Sequence, residues 1–340
     1  MKNTKINRST ILLLILVSIA SGLFADTAPV KKGVFEYVIR NCTQNFDEAS
    51  TLLEEAIGES AFQLLAKHDQ APPETCEFKT RVFILLDSEY AKKIIGAKPF
   101  TAPFGVADRI NLFEDEEGVH ISIVNPENIN RTILMEDTQY NELSDSHRKT
   151  LRELITGALT GEVTERPYGP IRKKGYIGRT MGVMAGGPFD KKIQNLLLIA
   201  NTDLNDLVDK LKTEFNKEED KWGTGIIYSI VFEEEGIAVL GVSSPKIESK
   251  SFSIVKAGGD KSRKSLSFPG IAHAGAYPIE IVIERKLTVS WVRVLDIMYR
   301  MKMYFEDAGK VAFAVNMGMP GSIQREIKRK AKAALQPNKK

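Results

Sequence analysis

The chain has 340 residues, of which 43% are hydrophobic and 27% charged. This is ordinary globular composition, with apolar material for two cores at roughly 100 to 200 residues per domain. The formal net charge is +3, and it falls to 3 − 3 = 0 once the first 25 residues, with Lys2, Lys5 and Arg8 and no acid, are set aside, which argues against nucleic acid as a partner.

Those first residues have the three parts of a secretory signal: a basic start, an apolar run over residues 11–20, and small residues up to Ala25. The run is too short to span a bilayer. Cleavage is expected after Ala25, with Gly22 the other candidate, which leaves no transmembrane span and a periplasmic or secreted chain. In an oxidising compartment Cys42 and Cys76, the only two cysteines, are expected to form a disulfide. Closing that loop would stabilise the fold by roughly 4 kcal/mol on the chain-entropy account.

Residues 33–40 alternate like a strand, and Phe46, Ala49, Leu52, Leu53, Ala56 and Ile57 fall at helical spacing before Gly58. Strands are expected at 61–68 and 81–86, the second a continuous apolar run typical of mid-sheet, followed by a short helix at 88–95. Residues 109–126 read as a hairpin around an acidic turn closed by Gly118, and a mainly helical segment through Ser144, Leu151 and Ala158 closes a first domain, 33–160. Residues 166–194, dense in Gly, Arg and Lys and without periodicity, read as a linker. The second domain, 195–330, has a strand at 195–200, a helix capped by Asn201 or Thr202, strands at 226–232 and 237–242, and an insertion at 249–271. Residues 279–283 match 83–86, residues 289–295 are a strand or short helix, and a basic helix from Ser322 leads to a basic tail, 331–340.

A repeat links the two domains. Residues 300–317 align with 109–126 without a gap, at a constant offset of 300 − 109 = 191, pairing Arg109 with Arg300, Gly118 with Gly309 and Asn125 with Asn316. Both stretches are therefore expected to be hairpins in an α+β chain of two related domains, each a mixed or antiparallel sheet with helices packed on one face. The hairpin with its Phe-Glu-Asp turn, the Asn beyond its second strand and the apolar strand 81–86 before it resemble domain of unknown function family 302. On that resemblance the chain is a secreted tandem version of the family, covering residues 33–160 and 195–330. The family implies a compact α+β domain and brings no agreed activity and no catalytic residues.

Met298, Met301, Met303, Met317 and Met319 crowd the end of the chain, and soft thioether ligands suit Cu(I). Met317 and Met319, with His68, are the metal candidates. The four histidines, His68, His120, His147 and His273, show no metal-ligand spacing. The glycine-rich basic segments 175–187 and 257–264 are suited to holding an anion on backbone N–H groups, which makes Arg179, Lys261, Arg263 and His273 the ligand-binding candidates. Neither a phosphate-binding G-x-x-x-x-G-K-[ST] run nor a G-x-S-x-G elbow is present. The expected function is non-enzymatic binding of a small ligand, anion or metal between two related domains. The alternatives are a periplasmic enzyme or redox accessory using His68, Asp69 and His273, and a structural partner in an envelope complex.

Overall fold

The first half builds one antiparallel sheet from β1 (Gly33–Cys42), β2 (Gln63–Asp69), β3 (Thr80–Leu86), β4 (Asp108–Asp115) and β5 (Gly118–Val124), in the order β2-β3-β4-β5-β1. The structure is a computed structural model that describes residues 32–171, 177, 185–217, 220–255, 270–305 and 310–336. Two short strands, β6 (Glu162–Val163) and β7 (Pro167–Ile171), pair with β1 on its free edge. The continuous apolar run of β3 is explained by burial on both faces. Phe83 and Leu85 enter the core beneath α1 (Phe46–Gly58), while Val82, Ile84 and Leu86 point into a second core on the opposite face. Asn45 caps α1, its side chain accepting from Glu48 N while the Glu48 carboxylate accepts from Asn45 N, and Phe46, Ala49, Leu53 and Ile57 face the sheet. The half is completed by α2 (Ser88–Ala97), a 3-10 turn at Ala102–Gly105, α3 (Pro126–Ile133) and α4 (Asn141–Ala158).

The second half repeats this order. It runs β8 (Ile193–Ile199), α5 (Leu204–Phe215), β9 (Gly225–Phe232), β10 (Ile237–Ser243), α6 (Pro245–Val255), a 3-10 turn at Ile271–Ala276, β11 (Ile279–Lys286), β12 (Val289–Leu295), α7 (Ile297–Phe305), α8 (Lys310–Val315) and α9 (Gly318–Leu335). Its sheet, β9-β10-β11-β12-β8, has the strand order of the first. The repetition extends to register. Ile110–Ile123 and Leu112–Ile121 in one hairpin become Ile281–Val294 and Ile283–Val292 in the other, a constant offset of 281 − 110 = 171. Irregularities repeat as well: pairing slips at Val38 in β1 and Leu196 in β8, and at Leu65 in β2 and Ile227 in β9. Bulges are specific departures from a ladder, so two of them at matching places mark the halves as copies of one unit.

The α+β duplication is therefore present, but through other residues than the sequence repeat pairs. The counterpart of the β4–β5 hairpin is β11–β12, whereas residues 300–317 contribute to α7 and α8. A helix forms there because Asp296 opens it, accepting from Tyr299 N at 2.9 Å, and because Met and Lys favour helices. Ile297, Arg300, Met303 and Tyr304 then fall on one buried face. Likewise residues 279–283 correspond to β4 rather than to 83–86, and residues 249–255 of the expected insertion belong to α6, the counterpart of α2. The N-cap of α5 is Asp203, whose carboxylate accepts from Asp206 N, in place of Asn201 or Thr202. The segment 166–194 is not simply a linker, since β7 and the start of β8 lie within it.

The face of the first sheet opposite α1 and α4 shares one apolar core with the second sheet. Cys42 and Cys76 are free thiols, so the expected disulfide is not formed. Cys42 Sγ lies 3.1 Å from Gln44 Oε1 and Cys76 Sγ 3.8 Å from Phe78 O, and burial pushes both thiols above their ordinary pKa. Among the described residues no helix is long and apolar enough to cross a membrane.

Candidate functional site at the junction of the two halves

The facing side of the first sheet supplies side-chain donors to the carbonyl groups of the 3-10 turn Ile271–Ala276, whose oxygens can accept a second hydrogen bond beside those within the turn. Asn111 Nδ2 donates to Ile271 O and Ala272 O, both at 3.2 Å; Tyr168 OH donates to Ala272 O at 2.6 Å; Gln70 Nε2 donates to Ala274 O at 2.9 Å. Arg109 Nη1 donates to Gly275 O at 3.1 Å and to Tyr304 OH at 3.1 Å. These polar side chains point into an otherwise apolar interface because the turn demands them. The reciprocal turn, Ala102–Gly105, packs on β10 and β11.

A buried ion cluster sits beside the turn. Glu280 binds Arg109 Nη2 through Oε1 and accepts from Arg300 Nε through Oε2 at 3.1 Å, while Arg300 Nη2 also donates to Pro278 O. One carboxylate thus serves two guanidinium groups from different halves, and burial holds Arg300 below the ordinary arginine range. Tyr228, fully enclosed nearby, is pushed up to about 12 by burial.

The junction has two equivalent edges, and they differ. At one, Glu248 on α6 is fully buried and draws the first half in: His68 Nε2 lies 2.7 Å from Oε1, Ala71 N donates to Oε2 at 2.9 Å, and Ser243 Oγ donates to Oε1. By register the counterparts of His68 and Ser243 are Ile230 and Leu86, and the counterpart of Glu248, fourth residue of its helix, is Ala91 in α2. None of the three can make a polar bridge. That second edge is an open cleft of about 450 Å³, lined by Leu65, Leu86, Ile230 and Phe232 with Ser229 and Gln63 among them. Its rim carries Glu233, Glu234 and Glu235 opposite Lys92, whose Nζ stands 3.7 Å from Glu234. Glu233 is held by Arg285 and Asn205, so Glu234 and Glu235 face the one ammonium group of the rim.

No family model matches this chain. No curated relative matches it either. Among solved structures it is similar to an uncharacterised conserved protein, DUF302, from Bacillus stearothermophilus, with 13% identity and a TM-score of 0.32 over 37% of this chain and 98% of that one.

Of the residues singled out in the sequence, the described ones His68, Asp69 and His273 do not share one centre. Arg179, Lys261 and Arg263 lie outside the described residues. His273 is fully buried in its turn, edge-on to Phe35 at 5.2 Å and to Tyr168 at 5.8 Å, so it is a packed aromatic residue and not an open loop ligand. His68 is committed to Glu248, whereas Asp69 points to the other face of β2 and binds Arg81 at 2.5 and 3.0 Å. A shared His68, Asp69 and His273 centre is thereby not assembled, because adjacent strand residues face opposite ways. Met317 and Met319 do share a cavity, with Met301 and without His68.

Asp115, Glu117 and His120 at the first hairpin tip are close enough to hold a metal ion, yet the group is internally satisfied. Asn41 N donates to His120 Nδ1 at 3.2 Å, Nε2 lies 2.7 Å from Asp115 Oδ1, and Arg40 binds Glu117. Large exposed apolar residues, the mark of an envelope partner surface, are scattered over several elements, with Val311 and Val315 one turn apart on α8.

Sequence reasoning missed Arg109, Glu280 and Glu248, the three charges that organise the junction. Glu280 stands alone in an apolar stretch, PIEIVI, and a lone acid in such a run signals a buried partner, whereas Glu248, in the polar run SSPKIESKS, carries no such signal.

Proposed function

We propose that the protein is an exported binding protein that holds a small amphipathic molecule, an apolar body bearing a cationic head, in the open cleft between its two halves. The observation that carries this reading is the inequality of two equivalent edges, one sealed by Glu248 and the other left as a cleft of about 450 Å³. That volume lies within the range of roughly 300 to 1,000 Å³ usual for ligand pockets. Leu65, Leu86, Ile230 and Phe232 suit an apolar body, and Glu234 with Glu235 at the rim favours a positive group. Export rests on the signal-like first 25 residues, and descent of both halves from a family 302-like unit rests on the repeated registers and the residues around the first hairpin.

The test is thermal denaturation with a panel of primary amines carrying butyl to octyl or phenyl bodies, beside the matching alcohols. The amines are expected to raise Tm and the alcohols to do less. Ser229→Trp, which fills the cleft from one wall, is expected to abolish the shift while leaving Tm without additive close to that of the wild type. Equal shifts in wild type and variant, or none with any amine, would reject the reading.

A further inference from the structure

A second cavity lies away from the open cleft, in the corner formed by α6, α7 and the start of α9. Its lining is Ile254, Val255, Phe305, Pro320 and three methionines, Met301, Met317 and Met319, with Ser251 and Asn316 at the margin. The two polar side chains are already engaged, Ser251 Oγ with Tyr277 OH at 2.6 Å and Asn316 Nδ2 with Ala312 O at 2.8 Å. Among the described residues no carboxylate, imidazole or thiol is part of the lining. These side chains offer a hard, hydrated cation or an anion nothing to replace its water shell.

Size decides what remains. The cavity holds about 50 Å³, against roughly 150 Å³ for one that accepts benzene. It is too small for an organic guest and large enough for a single ion. Three neutral, polarisable thioethers lining a small cavity are a donor set for a soft monovalent cation.

The fold itself does not require this cavity. In the first half the position equivalent to Met301, fifth residue of the corresponding helix, is Asn130, whose amide donates to Ser144 Oγ at 2.7 Å and to Tyr90 OH. At this position one copy carries an amide bonded to its neighbours, and the other a methionine that lines the cavity. We infer that Met301, Met317 and Met319 form a binding site for Cu(I) or the chemically similar Ag(I).

Cys42 and Cys76 are also soft ligands, so the measurement uses full-length Cys42→Ser, Cys76→Ser protein under anaerobic reducing conditions. Cu(I) is offered from a chromophoric chelator whose absorbance reports transfer to the protein. One Cu(I) is expected per chain, with sulfur neighbours in its X-ray absorption spectrum. The triple variant Met301→Leu, Met317→Leu, Met319→Leu, which conserves side-chain volume, is expected to take up none while keeping its circular dichroism and Tm. Met298→Leu, outside the lining, is expected to leave uptake unchanged. No transfer to the cysteine-free protein, equal uptake by the triple variant, or a shell of nitrogen and oxygen alone would overturn the assignment.

Discussion

Arg109 and Glu280 occupy equivalent positions in the two halves, opposite Ile84 in one sheet and Gly241 in the other, and they are bonded to each other. A symmetric pair of identical halves would place like side chains against each other there, either two cations or two anions. The divergence to Arg and Glu makes the contact attractive only between unlike halves, and Arg300 then joins Glu280 from the second half.

The two partners in that cluster are unequal in consequence. Glu280→Gln leaves Arg109 and Arg300 buried without a counter-charge, and is expected to cost roughly 3 to 5 kcal/mol. Arg109→Met leaves the Arg300–Glu280 pair balanced and is expected to cost clearly less. Urea unfolding of both variants measures the order, and equal costs would mean that Glu280 does not neutralise both arginines.

His147 predicts a pH dependence. Its ring stacks on Tyr90 with centroids 3.5 Å apart, Nε2 lies 2.8 Å from Asp108 and Nδ1 3.6 Å from Asp87. Burial alone would lower its pKa, but Asp108 and then Asp87 outweigh that and lift it to about 9, above the ordinary 6.5. A group raised on folding contributes stability that is full below its unfolded pKa and is lost as pH rises through its folded one. Stability is therefore expected to fall between about pH 6.5 and 9 by roughly 3 kcal/mol. In His147→Gln the decline across that window should vanish.

Tyr228 and Gly241 form a close contact with two opposite predictions. A Cβ on Gly241 would stand 2.1 Å from Tyr228 Cε1 and 2.6 Å from Pro278 Cγ, so Gly241→Ala is expected to destabilise by about 1 to 3 kcal/mol. The Tyr228 hydroxyl is buried without a hydrogen-bond partner among the described residues. Tyr228→Phe removes that unsatisfied group and is expected to stabilise by about 1 kcal/mol. Thermal unfolding of the two variants checks both signs.

The thiols offer a direct count. Protein purified without reductant and unfolded in guanidinium is expected to react with a thiol reagent at two cysteines per chain, and the native form slowly, since both thiols are half-buried with raised pKa. A count of zero would show a Cys42–Cys76 bond and a different course for residues 70–79.

What the sequence determined by itself was local. The helix α1, the mid-sheet strand β3, the first hairpin and the α+β class follow from periodicity and stop signals, which depend on neighbours a few residues apart. Duplication was legible as an idea, but the gapless match of 109–126 with 300–317 lay in residues that fold differently, since a hairpin-like pattern gives way to a helix once Asp296 caps it and one face is buried. The true repeat is visible only as register, with matching bulges at Val38 and Leu196, because side chains in the two copies have diverged while backbone pairing has not. The candidate sites were tertiary decisions altogether. Whether one edge is sealed depends on Glu248 meeting His68 from 180 residues away, and whether three methionines share a cavity depends on how α7 and α9 pack. Neither contact is written in local spacing, because it forms only when distant elements are brought face to face.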